Sequence, residues 1–270
     1  MMTAVIAGGR RVVFVPPAFN PATLFSAGQQ GVWYDPSDFT SMFQDVAGTV
    51  PVTAVGQAVA RINDKSGRGY HATQATAPSR PILRQDANGK YYLEFDGLDD
   101  SLSTLAINFT ATNKATLCGG YNVIGTGTGI FAEISASVSS SDGSFLQAFS
   151  AANAGNDYFL LRGTVAGNDS FTGVKALPRK NVSFVQFDTS AATSALQIIA
   201  RFNQVQATLL LGGATSAGNF GTHQLFIGAR NANQLFFNGS MYSLIVRGAA
   251  STATEITDTE TYVNSKTGAF

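Results

Sequence analysis

The sequence predicts an all-β protein of antiparallel strands, arranged either as a sandwich or as a barrel. Short runs in which apolar and polar residues alternate recur along the chain, and Gly, Asn, Asp and Ser separate them. Helical periodicity is almost absent before the C-terminal end. The 270 residues are 44% hydrophobic and include 20 Phe, so the chain can fill one large core, and an all-β sandwich of this length need not be divided.

Residues 1–30 are predicted to form an N-terminal arm or docking strand ahead of a sandwich domain at 31–270. They contain no acidic residue and three of the eight prolines. The run at 11–15 is rich in β-branched and aromatic residues, as in a strand, and it stops at Pro16 and Pro17, which cannot continue a ladder. An arm of this kind either closes the sandwich or anchors the protein to a neighbour, and the sequence leaves both open.

The strands of the sandwich are predicted where the alternation is uninterrupted. In chain order they cover residues 90–96, 102–109, 116–123, 129–138, 144–149, 158–162, 182–187, 196–203, 206–211, 224–228 and 240–247. One short C-terminal helix is predicted, because Thr252 and Glu255 have the spacing of a capping box and Gly268 can end the helix.

Composition and charge argue against nucleic acid and membrane partners. The 17 basic and 17 acidic residues cancel, whereas a nucleic-acid binder needs a basic surplus to neutralise phosphates. No stretch approaches the roughly 20 apolar residues of a membrane span, and the start lacks a signal-peptide pattern. We therefore expect a protein made in the cytoplasm, whose weakly charged surface suits contact with other proteins or with neutral polymers such as glycans.

Residue types that carry nucleophilic or zinc chemistry are scarce. Cys118 is the only cysteine, so no internal disulfide can form, and its apolar surroundings indicate a small buried side chain. The chain has two histidines without ligand spacing and no Gly-x-Ser-x-Gly elbow. These observations favour a protein that is not an enzyme.

Two segments carry motifs whose order and spacing resemble a known family. The first spans about 31–102 and contains Gly31-Val32-Trp33-Tyr34-Asp35-Pro36, Asp64-Lys65-Ser66-Gly67 and Phe95-Asp96-Gly97-Leu98-Asp99-Asp100. The second spans about 223–268 and contains Leu225-Phe226-Ile227-Gly228-Ala229-Arg230, Phe237-Asn238-Gly239 and Tyr242-Ser243-Leu244-Ile245-Val246-Arg247-Gly248. Together they resemble the concanavalin A-like, laminin-G-like domains of bacteriophage virion proteins, namely tail, fibre and head-spike components.

This resemblance implies a jelly-roll β-sandwich and a place in the virion. The arm would then contact other virion proteins, the outward face would meet host-surface polysaccharide, and the chain would assemble as a homo-oligomer. A purely structural decoration or adaptor protein is the alternative. The family often has Asn-Gly in a hairpin where this chain has Asn203-Gln204, which disfavours a type I′ turn here.

A glycoside hydrolase on the same fold is the third hypothesis, and it depends on Glu94, Asp96 and Asp99. Retaining glucanases of similar fold use a Glu-x-Asp-x-x-Glu strand with two carboxylates about 5 Å apart. Glu94 and Asp96 would share a strand face, as this chemistry requires. However, Gly97 breaks the strand and the last acid is Asp, so we expect binding rather than hydrolysis.

Calcium is the metal that the acidic turns favour, because it takes six to eight oxygen ligands. The candidate ligands are Asp64, Asp96, Asp99 and Asp100, and the favoured alternative is that they are turn formers and strand-end caps. A glycan site needs an aromatic face, and its candidates are Trp33, Tyr34, Tyr70 and Tyr92. For Trp33, a place in the core is the alternative.

Overall fold

The computed structural model describes residues 18–150, 156–164, 167–172, 176–211 and 213–270. Its strands, in chain order, are β1 (Gly31–Tyr34), β2 (Met42–Phe43), β3 (Arg61–Ile62), β4 (Ala72–Thr73), β5 (Ile82–Gln85), β6 (Tyr91–Asp96), β7 (Leu102–Ser103), β8 (Ile107–Asn108), β9 (Lys114–Val123), β10 (Gly129–Ile134), β11 (Ser144–Ser150), β12 (Asn156–Arg162), β13 (Gly167–Phe171), β14 (Arg179–Asp188), β15 (Ile198–Phe202), β16 (Val205–Gln206), β17 (Leu210–Leu211), β18 (Thr222–His223), β19 (Leu225–Ile227) and β20 (Asn238–Arg247). The helices are α1 (Ser194–Gln197) and α2 (Ala253–Thr267), with 3-10 turns at Pro21–Phe25, Phe39–Ser41 and Ala77–Ser79.

The strands form two large antiparallel sheets. The first sheet has the order β16-β15-β14-β9-β20-β6-β5, and β1 pairs with the C-terminal half of β20. The second sheet has the order β17-β13-β12-β11-β10-β19-β7-β4-β3-β2, and β8 and β18 form a separate ribbon. Consecutive strands such as β9 and β10 lie in different sheets, so the chain crosses repeatedly from one sheet to the other. This arrangement confirms the predicted jelly-roll sandwich of two antiparallel sheets.

Phenylalanine and aliphatic side chains fill the space between the sheets. Phe145 of β11 and Phe187 of β14 face each other across the layers with ring centroids 4.9 Å apart. Tyr121 of β9 contacts Phe131 of β10 at 5.1 Å in the same way. Each fully buried ring of this size contributes roughly 1.5–3 kcal/mol relative to an exposed one, so these contacts hold the two sheets together.

The outer face of the first sheet is covered by α2 and by the 3-10 turn at Pro21–Phe25. Val263 of the helix packs with Cys118, Trp33 and Ile245, all buried, and Phe25 lies in the same cluster. Both hydrogen bonds of the capping box between Thr252 and Glu255 are present, and Gly268 ends the helix with φ of 64°. The helix prediction is therefore confirmed. The predicted strand at 11–15 lies outside the described residues.

Among the described residues, no helix combines the length and the apolar character that crossing a membrane requires.

The buried thiol of Cys118 agrees with its predicted place in the core. Burial, together with the charge of Glu260 nearby, raises the pKa of this thiol well above its usual value.

Two turn predictions were wrong. Asn203 and Gln204 both have positive φ, 50° and 67°, and Phe202 pairs with Val205, so the hairpin is a two-residue turn of the I′ kind after all. Asn tolerates this conformation, and its side chain accepts a hydrogen bond from the amide of Val182 at 2.9 Å. The Asn-Gly pair in Phe237-Asn238-Gly239 predicts a turn ahead of the last strand, but β20 already begins at Asn238, which pairs with Asp96.

Candidate functional site

Strand β6 presents one polar face to the outside of the first sheet. Leu93 and Phe95 point into the core and are at most 1% exposed. Because side chains alternate along a strand, Tyr92, Glu94 and Asp96 share the opposite face. Three predicted side chains thus lie in a row, with the predicted Asp99 and Asp100 immediately after the strand.

An aromatic pair stands at one end of this row. The rings of Tyr92 and Tyr242, on the neighbouring strand β20, have centroids 5.1 Å apart and are tilted by 42°. The Lys180 ammonium lies 4.5 Å from the Tyr242 ring centroid, within the range of a cation–π interaction. Tyr242 is buried and Tyr92 is half-buried, so the ring of Tyr92 forms most of the exposed aromatic surface.

Asp86 connects the aromatic pair to the charged groups beside it. Its carboxylate lies 2.7 Å from Nζ of Lys180 and accepts a hydrogen bond from the Tyr242 hydroxyl at 3.2 Å. Burial alone would raise the pKa of Asp86, but hydrogen bonds from Lys180 and the Lys90 amide outweigh it, and the pKa is lowered. Burial and the nearby Asp86 charge raise the pKa of Tyr242, so its hydroxyl remains a donor.

Glu94 lies between the aromatic pair and the acidic turn. Its carboxylate accepts a hydrogen bond from Nε of Arg84 on β5 at 2.7 Å, and both side chains are more than a third exposed. Glu94 and Asp96 do share a face, as the hydrolase hypothesis requires, but the carboxylate of Glu94 is engaged by a guanidinium. Such a pair offers planar donors and acceptors of the kind that bind sugar hydroxyls.

Three carboxylates converge where β6 ends. Oxygens of Asp96, Asp99 and Asp100 lie within 4.8 Å of one another. Gly97 has φ of 80°, which lets the chain turn so that Asp100 accepts a hydrogen bond from the amide of Asp96 at 3.0 Å. Asp99 accepts from the Ser79 hydroxyl at 3.2 Å.

The acidic turn has excess negative charge. Burial, together with the charges of Asp96, Asp99 and Glu94, raises the pKa of Asp100 to about 6, against a smaller lowering by the Asp96 amide. In the described part of the chain, the ion pairs include none of these three aspartates. Clustered carboxylates without a cationic side chain are a donor set that fits calcium, which would relieve the repulsion between them.

Asp64 does not join the acidic turn. Its carboxylate accepts hydrogen bonds from the amides of Trp33, Ser66 and Tyr70 at 3.0, 2.8 and 3.2 Å, and from the Ser66 hydroxyl at 2.8 Å. It is 8% exposed. The predicted alternative, a turn-forming aspartate, therefore describes Asp64 better than a calcium ligand does, because hydrogen bonds from its own loop occupy both of its oxygens.

The other three predicted aromatic residues lie away from this surface. Trp33 packs edge-on against Tyr262 of α2 with centroids 5.6 Å apart, and Tyr34 is fully buried with its hydroxyl bonded to the carbonyl of Tyr70. The half-buried Tyr70 donates to Gln30 at 2.9 Å. Buried rings offer no face to a sugar, so the predicted glycan contact by Trp33 and Tyr34 is corrected to a structural role.

Sequence reasoning missed Tyr242, Lys180, Asp86 and Arg84. Each comes from a different strand or turn, and Tyr242 lies in a run of apolar residues that predicts core positions. The pairing of β6 with β5 and β20 brings Arg84 and Tyr242 next to this face, and Lys180 of β14 and Asp86 of the β5–β6 turn then contact Tyr242. No local signal in the sequence identifies them.

The comparisons with known proteins concern the fold. No protein-family model matches the chain, and no curated protein matches it in sequence. Among solved structures it is similar to botulinum neurotoxin type C, which depends on interaction with two ganglioside molecules to enter cells, at 7% identity and a TM-score of 0.53 over 88% of this chain and 51% of that one. The binding domain of botulinum neurotoxin serotype G is similar at 9% identity and a TM-score of 0.55, over 76% of this chain and 49% of that one.

A Trypanosoma rangeli sialidase, solved in complex with 2,3-difluoro-KDN, is also similar, at 11% identity and a TM-score of 0.53 over 93% of this chain and 36% of that one. The chain thus spans about half or less of the length of these proteins. At such identities the likeness shows the jelly-roll fold and does not by itself transfer a site.

Proposed function

We propose that this protein binds glycans without cleaving them, through the polar face of β6. The observation that carries the proposal is the continuous row formed by the Tyr92–Tyr242 pair, the Arg84–Glu94 pair and the acidic turn. An aromatic face with planar hydrogen-bonding groups beside it suits the apolar and hydroxylated sides of a sugar ring. Similar folds in a toxin that interacts with gangliosides and in a sialidase support a carbohydrate ligand.

The finer proposal is that the protein is a bacteriophage virion component that attaches to host-surface polysaccharide. The support is the resemblance of its motifs to virion domains of tails, fibres and head spikes. Calcium held by Asp96, Asp99 and Asp100 would add a charge to which sugar hydroxyls can bind. In this proposal the N-terminal arm contacts other virion proteins.

The test is binding of the purified chain to a panel of bacterial surface polysaccharides, with calcium or with EDTA, while released oligosaccharides are monitored. Tyr92→Ala should weaken binding about tenfold, the equivalent of about 1.4 kcal/mol. Tyr91→Ala is the matched control, because Tyr91 lies next to it on β6 and packs against Phe39 with centroids 4.9 Å apart. Equal binding by wild type and Tyr92→Ala would reject the site, and released oligosaccharides would reject binding without cleavage.

A structural role in a homo-oligomeric assembly is the second candidate. The favouring observation is a set of exposed apolar side chains: Val205 of β16 and Leu210 of β17, each on an outermost strand of its sheet, are 69% and 52% exposed, and Leu196 of α1 is 55% exposed. Exposed apolar edges are typical of surfaces that another subunit covers. Two results together would support this role: the wild-type chain binds no polysaccharide, and light scattering shows a defined oligomer for wild type. The Val205→Lys variant should then lose that oligomeric state.

A further inference from the structure

A groove crosses the outer face of the second sheet, whereas the proposed glycan site lies on the first sheet. Leu146 and Ala148 of β11 and Leu160 of β12 form its floor together with Ile130 of β10. The groove is open to solvent on one side and has a volume of about 230 Å³. An outer sheet face normally carries polar side chains, so an apolar floor with open space above it needs a physical reason.

Two loops form the walls of this groove, and a buried carboxylate holds both. Glu133 is 0% exposed; one of its oxygens accepts a hydrogen bond from the amide of Val138, in the first loop, at 2.7 Å. The other accepts from Nε of Arg230, in the second loop, at 3.0 Å. Leu235 lies in that second loop as well. The shape of the groove therefore depends on a specific buried ion pair.

The polar groups of the groove lie at its rim. Arg230 is the one charged residue among the described residues that line it, and its side chain is 18% exposed. Its hydrogen bond to Glu133 uses Nε, which is one of the five N–H donors of the guanidinium. Tyr158, also at the rim, donates its hydroxyl to Asp169 at 3.2 Å, and this bond orients the ring.

We propose that this groove binds a small anionic amphiphile, namely a free medium-chain alkyl carboxylate. The tail would lie on the aliphatic floor, and the carboxylate would accept hydrogen bonds from the Nη groups of Arg230, a geometry that guanidinium and carboxylate favour. A cavity of about 230 Å³ holds roughly seven to eight groups the size of a water molecule, which corresponds to a chain of roughly eight carbons. The inference is independent of the glycan site.

The test is calorimetric titration of the intact protein with hexanoate, octanoate, decanoate and neutral octanol. From hexanoate to octanoate, affinity should rise about fourfold per methylene group. Decanoate should gain little more, because the groove is then full. Octanol should bind at least about tenfold more weakly than octanoate, because it lacks the charge that Arg230 receives.

Substitutions in the groove test whether the ligand binds there. Ala148→Leu should fill the floor and abolish octanoate binding, whereas Leu105→Ala, at a side chain 75% exposed elsewhere, is the control and should bind as wild type. The double variant Glu133→Gln with Arg230→Gln leaves no unpaired buried charge and should lose the preference for octanoate over octanol. Circular dichroism confirms that each variant is folded.

Three results would overturn the inference: equal binding of octanol and octanoate, octanoate binding that survives Ala148→Leu, or a double variant that keeps the preference for the carboxylate. Tighter binding of neutral N-acetyl-leucinamide than of octanoate would also overturn it, because the groove would then be an anchor for an apolar side chain of a protein partner.

Discussion

Replacing Asp100 by Asn should stabilise the protein at neutral pH when no calcium is present. The pKa of Asp100 is raised from 3.8 to about 6 by burial and by its acidic neighbours. Since the folded-state pKa lies above the unfolded-state value, the folded protein binds more protons between these two values. Stability therefore falls as pH rises from about 4 to about 6, and the loss stays constant above that window.

The magnitude follows from the size of the shift. A difference of slightly more than two units corresponds to about 3 kcal/mol at 1.36 kcal/mol per unit, and solvent screening at the edge of the turn reduces this to about 1–3 kcal/mol. The amide side chain of the Asp100→Asn variant would keep an oxygen that accepts the hydrogen bond from the Asp96 amide but would carry no charge. The variant should therefore gain about 1–3 kcal/mol over wild type at pH 7.5 in EDTA, and almost nothing at pH 4.

Urea denaturation from pH 4 to pH 8, with EDTA or with calcium, measures this effect. The informative quantity is the difference in unfolding free energy between Asp100→Asn and wild type, because the other titrating groups cancel in it. Calcium should stabilise wild type at pH 7.5 more than the variant. Asp258→Asn, on α2, removes an acid outside the turn and is the control. A difference that stays flat from pH 4 to pH 8 would refute the reasoning.

Two further predictions concern contacts that hold the first sheet and α2. Arg201→Met should lower the free energy of unfolding, measured by urea denaturation, by about 2–4 kcal/mol. The reason is that the fully buried Glu260, whose carboxylate lies 3.1 Å from Nη2 of Arg201, would lose its cationic partner. A decrease of less than about 1 kcal/mol would contradict this. Asn203→Ala should lower stability by about 1–2 kcal/mol in thermal denaturation, since φ of 50° disfavours Ala and the bond to the Val182 amide is lost. Asn203→Gly should lose less, and an equal loss would show that the backbone conformation is not the reason.

Features that depend on residues close together in the sequence could be predicted from the sequence. The capping box of α2 joins side chains three residues apart, and Gly268 ends the helix through its own backbone freedom. Longer strands such as β9 and β20 appear as alternating or apolar runs. The acidic turn was readable for the same reason, because Asp96, Asp99 and Asp100 lie within five consecutive residues.

Short strands were not readable, because pairing rather than local pattern defines them. β1 has all four residues buried, since the core lies on one side and α2 and the turn at Pro21–Phe25 on the other, so no alternation marks it. The strands β2, β3 and β4 have two residues each and exist through contacts with one another. The turn at Asn203 was misread because hydrogen bonds from β14 stabilise it.

The sequence by itself determined the all-β class, the C-terminal helix and the acidic turn, because each of these follows from composition, periodicity or contacts over a few residues. The resemblance of its motifs to a known family then favoured a sandwich over a barrel. Only the tertiary structure decided which aromatic residues stay accessible. It buried Trp33 and Tyr34 beneath α2 and within the core, and it placed Tyr242, Lys180 and Asp86 beside Tyr92. The physical reason is that a sheet gathers residues from distant parts of the chain, and strand order and the layer above each face set which side chains meet solvent.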